Sequence, residues 1–343
     1  MGAVVVSVGA RTPIGLSAEQ TALLYRAGFP AMASAPLADE RGEPVIMCSL
    51  RTLDPRLTGA ARVAWLAAPA LDEALRGLGG AGRGLTAELC LTVDEHLDEA
   101  EASAIAGSLR HAARAHGMEL SAPLTARGEA GAAVALGPKL AALLERRLDV
   151  LIWGGAHSDH DPAVIARLAR SGLLFAPDNL DARIPGEAAA FAVLVRPETA
   201  RQSRLAAMAE IAGVGTGMER ARPDNDASAW EAQGLPAALR EAASGLGSER
   251  RAGWLLTDLT FEMRRIQEWQ AVMIRARRLL CEPFAVDSPA QRVGYLGAAA
   301  LPLAVVLAAE AWAGGYAPAP VALAFAGSDS GARGALSLAQ PGP

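Results

Sequence analysis

The sequence holds five histidines and three cysteines, and their placement limits the chemistry open to it. The densest group is His157-Ser158-Asp159-His160-Asp161, directly after a continuous apolar run. Imidazole and carboxylate are donor types that zinc accepts. The other histidines, His96, His111 and His116, all precede this group, so any later ligand would have to be a carboxylate. The competing reading is a polar loop in which Asp161-Pro162 opens the next helix, since proline suits a first helical turn. The loop is preferred. No metal is expected, and His157, Asp159 and His160 are the weaker candidate set.

Covalent catalysis needs a serine or cysteine beside a base. A Gly-x-Ser-x-Gly segment is absent, and none of Cys48, Cys90 and Cys281 stands in a glycine-rich strand-to-helix turn. Cys90 and Cys281 have apolar neighbours and are expected to pack as small hydrophobes. Three scattered cysteines suit reduced thiols in a cytoplasmic chain better than a disulfide framework. Gly77 to Gly82 fits the G-x-G-x-x-G spacing, yet it follows a helix where dinucleotide binding needs a strand. It reads as a linker in the glycine cluster at 77–84, and no cofactor is expected.

These residues must be positioned by the surrounding elements. The 343 residues are 51% hydrophobic, 20% charged and 4% aromatic, with net charge -5. Such an apolar share excludes disorder, and a negative balance without a basic stripe argues against nucleic acid. The most apolar stretch, 296–307, contains Pro302 and falls short of the ~20 residues a bilayer needs. The opening MGAVVVSVGARTPIG shows no basic segment ahead of an apolar one, so no secretory signal is expected. Mean hydropathy is +0.21, and the surplus apolar surface points to a subunit interface.

The β-branched run at 4–8 reads as a strand, followed by a Thr12-Pro13-Ile14-Gly15 turn and a helix with Ser17 and Gln20 as a capping box. Helices are expected at 60–78, 99–116, 130–147 and 163–174, and strands at 88–93, 149–153 and 188–195. The second half repeats the alternation, with strands at 205–214, 254–259, 284–287 and 321–327 and helices at 230–245, 261–280 and 296–312. Alternating strands and helices imply α/β layering. The shared order suggests a duplicated fold, with halves at 1–204 and 205–343 in one compact unit.

Several segments, in chain order, resemble the β-ketoacyl-ACP synthase branch of the thiolase superfamily. VVVSVGARTPIG, at 4–15, is similar to that family's opening strand and its G…TP.G turn. DVLIWGGAHS, at 149–158, resembles the central strand ending in GGAE or GGSE. LDARIPGEAAAFAVLV, at 180–195, resembles the FD…R.G…GEGAA..VLE segment. Tyr295 onward, after Val293-Gly294, resembles the GH..GAAG helix start, and AFAGSDSGARGALSL, at 324–338, sits where the family has its FGFGGTN turn. The matches span nearly the whole chain in one order.

The resemblance implies a thiolase-like five-layered αβαβα fold built from two similar halves, and a dimer. It also implies a site. The family's cysteine heads a buried helix whose N-terminus stabilises thiolate and oxyanion, and two histidines assist decarboxylation. At the matching positions this chain has Gly128 or Glu129 for the cysteine, Thr257 or Asp258 for one histidine, and Gly294 or Tyr295 for the other. Glu129 is a poor acyl acceptor, and a malonyl-derived carbanion finds no imidazole of suitable pKa.

The expectation is therefore a catalytically inactive, bacterial synthase-like protein that works by binding. It would form a homodimer, or a heterodimer with an intact synthase as a chain-length-factor-like subunit that meets acyl carrier protein. An adaptor for a protein cargo, such as a secreted effector, is the other binding role. The alternative is an enzyme acting on acyl thioesters (acyl-ACP or acyl-CoA) in fatty-acid or polyketide metabolism. In that case Glu129, Asp258 and Tyr295 would activate water in the old pocket.

Overall fold

Charge-free runs such as Ala188 to Val195 have no polar face to offer solvent, so they form strands covered on both sides. The computed structural model describes residues 2–82, 85–120, 124–220, 232–247 and 250–342. The first half runs β1 (Ala3–Arg11), α1 (Ala18–Arg26), a hairpin of β2 (Ala33–Ala38) and β3 (Pro44–Met47), α2 (Gly59–Arg76) and β4 (Ala87–Val93). It continues through α3 (Glu99–Ala115), β5 (Leu124–Arg127), α4 (Gly128–Leu144), β6 (Val150–Ser158), α5 (Pro162–Arg170), β7 (Glu187–Val195) and α6 (Pro197–Gln202). The second half runs β8 (Ala209–Met218), α7 (Gly234–Ser244), β9 (Ala252–Thr257), α8 (Met263–Arg275) and β10 (Leu280–Asp287). It ends with α9 (Ala290–Val293), α10 (Ala300–Ala313), β11 (Val321–Gly327) and β12 (Ala332–Ala339).

Strand order shows the duplication directly. One side reads β5-β4-β6-β7-β1 and the other β10-β9-β11-β12-β8. In each, the first three strands and the fifth share one direction and the fourth runs antiparallel between its neighbours. The two sheets meet at a short seam where Ala3, Val4 and Val5 pair with Ile211, Glu210 and Ala209. Helices α4 and α10 touch strands of both sheets, whereas α2 and α3 cover one outer face and α7 covers the other with α8 beside it. The result is five layers, helix–sheet–helix–sheet–helix.

The central helices are apolar nearly all round, as a sandwiched helix must be. Twelve residues of α10 are buried, including Leu301, Leu303, Val305, Val306, Leu307 and Trp312. Close approach is made possible by Gly155 in β6, where a Cβ would lie 2.1 Å from the Ala298 carbonyl oxygen. A buried ion pair braces the first half: Arg62 of α2 donates to Glu187 of β7 through Nε (2.6 Å) and Nη2 (2.8 Å).

Several local expectations need correction. Ser17 caps α1 by accepting the Gln20 N–H, but the Gln20 side chain accepts from Leu16 and no reciprocal box forms. Cys281 is exposed because it lies on edge strand β10, while Cys48 and Cys90 are buried free thiols. The expected helix at 261–280 ends at Arg275 and gives way to a 3₁₀ turn. The glycine cluster contains a short 3₁₀ turn, Gly79–Gly82, with 83–84 outside the described residues. Trp230, expected to open a helix, also lies outside them.

Candidate functional site

Ligands in α/β folds gather beyond the carboxyl ends of parallel strands. Here those ends deliver Asp94 after β4, Gly128 after β5 and His157 near the end of β6. The second half delivers Asp258 after β9 and Ser328 after β11. Between them lies a cavity of about 330 Å³ lined by Asp94, Glu95, Gly128, Glu129, His157, Asp159, Arg183, Tyr295 and Asp329. His96, Arg167, Leu168, Ser171 and Leu173 complete its lining.

Gly128 stands at the head of α4 with φ +70, a conformation that L side chains avoid. A Cβ there would lie 2.5 Å from Glu95 Oε1 and 2.7 Å from Ser328 Oγ. The space beside the helix tip is thus already filled. The first-turn amide is occupied too, because Ala130 N–H donates to Ser328 Oγ at 3.0 Å.

Behind the tip, a charge network ties the halves together. Arg183 donates to Glu262 Oε1 (2.9 Å) and to both oxygens of Asp329. Arg265 donates to Asp258 Oδ2 (2.8 Å), which also accepts the Gly327 N–H. The other end of the Arg265 guanidinium lies 3.7 Å from Glu129 Oε1, beyond hydrogen-bond range. Burial, and then the charge of Asp329, push Glu129 up to about 7, with Arg265 opposing. Burial would raise Asp329 as well, but Arg183 and Arg265 hold it well below the usual carboxylate range.

His157 has a carboxylate on each ring nitrogen, Asp94 at 2.6 Å from Nδ1 and Asp159 at 3.1 Å from Nε2. Burial alone would lower its pKa, yet the two acids raise it well above 6.5, so the ring carries a proton. Tyr295 meets the His157 ring edge-on at 5.1 Å, and the Arg183 guanidinium lies over the Tyr295 ring at 4.3 Å.

Of the positions singled out from sequence, Gly128, Glu129 and Tyr295 share this cavity. Asp258 joins through Arg265, while Thr257 turns aside to Ser288 Oγ (2.7 Å). Gly294 packs beneath the site, with Cys48 and Pro185 against it and φ +80. The three candidate metal ligands separate. His157 and Asp159 pair with each other, but the His160 ring turns to the Pro55 carbonyl oxygen, and among the described residues no metal-holding group of three forms.

Sequence reading missed Asp94, Arg183, Arg265 and Asp329. Arg183 and Asp329 lie inside segments read for family likeness, and Asp94 follows an apolar run that ends at a strand's carboxyl end, a positional signal that could have been used.

No family model and no curated protein matches this chain. Solved structures do. A type II polyketide synthase acyl-carrier protein in complex with its ketosynthase bound to the hexaketide aligns with TM-score 0.81 at 13% identity, covering 99% of each chain. The ishigamide ketosynthase/chain length factor aligns with TM-score 0.79 at 19% identity, again covering 99% of each. The ketosynthase from module 6 of the bacillaene synthase from Bacillus subtilis 168 gives 0.77 at 14%, covering all of this chain and 73% of that one. The fold is thus that of the thiolase-like ketosynthases. No described helix is long and apolar enough to cross a membrane.

Proposed function

We propose that this ketosynthase-fold chain acts by association, as a chain-length-factor-like partner of an intact synthase, and does not itself form carbon–carbon bonds. The observation that carries the reading is Gly128 at the head of α4, where a thiol would be needed and where Glu95 and Ser328 fill the space a side chain would take. The thiols the chain has are elsewhere, with burial pushing both Cys48 and Cys90 up to about 12. Asp329 lines the same cavity, and a carboxylate beside a developing acyl oxyanion would oppose such chemistry.

Association is supported by α4 itself. Although it sits between the sheets, it leaves an apolar stripe of Val134, Pro138, Ala141 and Leu144 exposed. Next to it, β5 is the edge strand of its sheet and, among the described residues, pairs only with β4. An open edge beside an apolar stripe is a surface that needs cover. The likeness to the ishigamide ketosynthase/chain length factor favours an intact synthase as that cover, with acyl carrier protein as a further contact. A cargo adaptor would use the same surface for a different protein.

Native purification with quantitative mass spectrometry tests the reading. Equimolar recovery with a synthase that retains cysteine and both histidines is expected. Recovery with a secretion component, or as a homodimer alone, would count against it.

A further inference from the structure

We propose that the cavity at the head of α4 binds a small organic cation, an ammonium or guanidinium group, through Asp94 and Glu129, with Glu95 at its entry. The proposal rests on the reading that this cavity has left thioester chemistry, whereas the choice of protein partner stands or falls separately.

Five carboxylates line the cavity, Asp94, Glu95, Glu129, Asp159 and Asp329, against the cations of His157, Arg167 and Arg183. Glu95 accepts from the Ser330 hydroxyl, and partners divide the other four into two pairs. Asp159 is occupied by His157 and the Gly186 N–H, and Asp329 by Arg183 and Arg264. Asp94 engages His157 through one oxygen, but its Oδ2 is buried without a hydrogen-bond partner, and so is Glu129 Oε1. Both residues are only 5% exposed. Buried acceptors without a donor are costly, so two of them on one cavity call for a donor to enter.

The neighbouring cations do not supply it. Arg183 is engaged with Glu262 and Asp329, and Arg265 donates through Nη1 to Asp258, while its Nη2, itself without a hydrogen-bond partner, stands 3.7 Å from Glu129 Oε1, beyond hydrogen-bond reach. An anionic ligand would meet the free carboxylate oxygens and be repelled. A bare metal ion lacks its ligand set, since no three suitable side chains converge among the described residues. The volume of about 330 Å³ lies at the small end for ligand sites, and Leu168 and Leu173 at the wall suit a short alkyl stem. Glu95 is exposed, which provides a charged entry.

Calorimetric titration of the full chain at physiological salt tests this, with agmatine as the probe. Saturable one-to-one binding is expected, weakened about tenfold or more by Asp94→Asn and by Glu129→Gln, because each substitution removes a charge-assisted hydrogen bond to the guest. Both variants should keep the parent's circular dichroism. Equal binding of glutarate or N-butylacetamide, magnesium binding in the same place, or no saturable heat with agmatine would each overturn the proposal. So would unchanged affinity in both variants. Acylation within residues 124–134 by an acyl thioester would overturn the underlying reading instead.

Discussion

Ser328 Oγ accepts the Ala130 N–H at 3.0 Å, so a turn from the second half caps the helix that heads the site in the first. An N-terminal amide in that position is otherwise available to an anion. Ser328 and Glu95 also crowd Gly128, so any side chain at this position would have to displace them.

Gly128→Cys should therefore fail to create a working thiol. The side chain would sit at φ +70 and collide with Glu95 and Ser328, at a cost of about 1–3 kcal/mol. Intact-mass analysis after incubation with an acyl thioester should show no adduct on either protein, and the variant should melt lower. A clean single adduct on the variant would mean that the pocket is open.

Breaking the Arg62–Glu187 pair should be severe, because each residue is almost wholly enclosed and the survivor would be an uncompensated charge. Arg62→Ala is expected to remove about 3–5 kcal/mol, read from the denaturant midpoint. A loss below about 1 kcal/mol would place the pair with surface bridges.

The protonated His157 gives stability a defined pH dependence. Its folded pKa is raised above 6.5, so its contribution is complete below that value and is lost as pH rises through the folded pKa. Asp159 is lowered, so its share is present above 3.8 and lost as pH falls through its folded value. Urea midpoints should decline on the alkaline side, and His157→Phe should flatten that limb.

Glu129 acts in the same sense as His157 and opposite to Asp159. Its folded pKa of about 7 exceeds the ordinary 4.5, so the unfolded chain ionises first and stability falls as pH climbs between those values. Glu129→Gln should gain on the parent at about pH 8 and match it at about pH 4, by thermal melting. Equal stability at both would show that the carboxyl is not strained by burial.

Val134→Glu on the exposed α4 stripe should weaken association, read by analytical ultracentrifugation, while leaving the stability of the fold within about 0.5 kcal/mol of the parent. Unchanged assembly would move the interface elsewhere.

The layered fold is legible in the sequence because each half writes its strands as uninterrupted apolar runs. Ala188 to Val195 and Val321 to Gly327 admit no other covering than helices on both faces. The short strand β5 and the β2–β3 hairpin are not legible, since β5 has only four residues and β2 (ASAPLA) carries a proline and small side chains, with little β-propensity. Gly128, Glu129 and Tyr295 emerge through family likeness, but their companions do not. The partnership of Arg183 with Asp329 spans 146 residues of sequence, and pairing over such a separation leaves no periodic mark.

The cavity wall draws on both repeats at once, with Asp94 and Glu129 from one and Asp329 and Tyr295 from the other. Any occupant would therefore act as a staple across the duplication, and its binding energy would add to the cooperativity with which the two repeats melt together. A chain nicked in the connection at 203–208 would feel the occupant most, because the guest would then supply part of the tether that the backbone had lost.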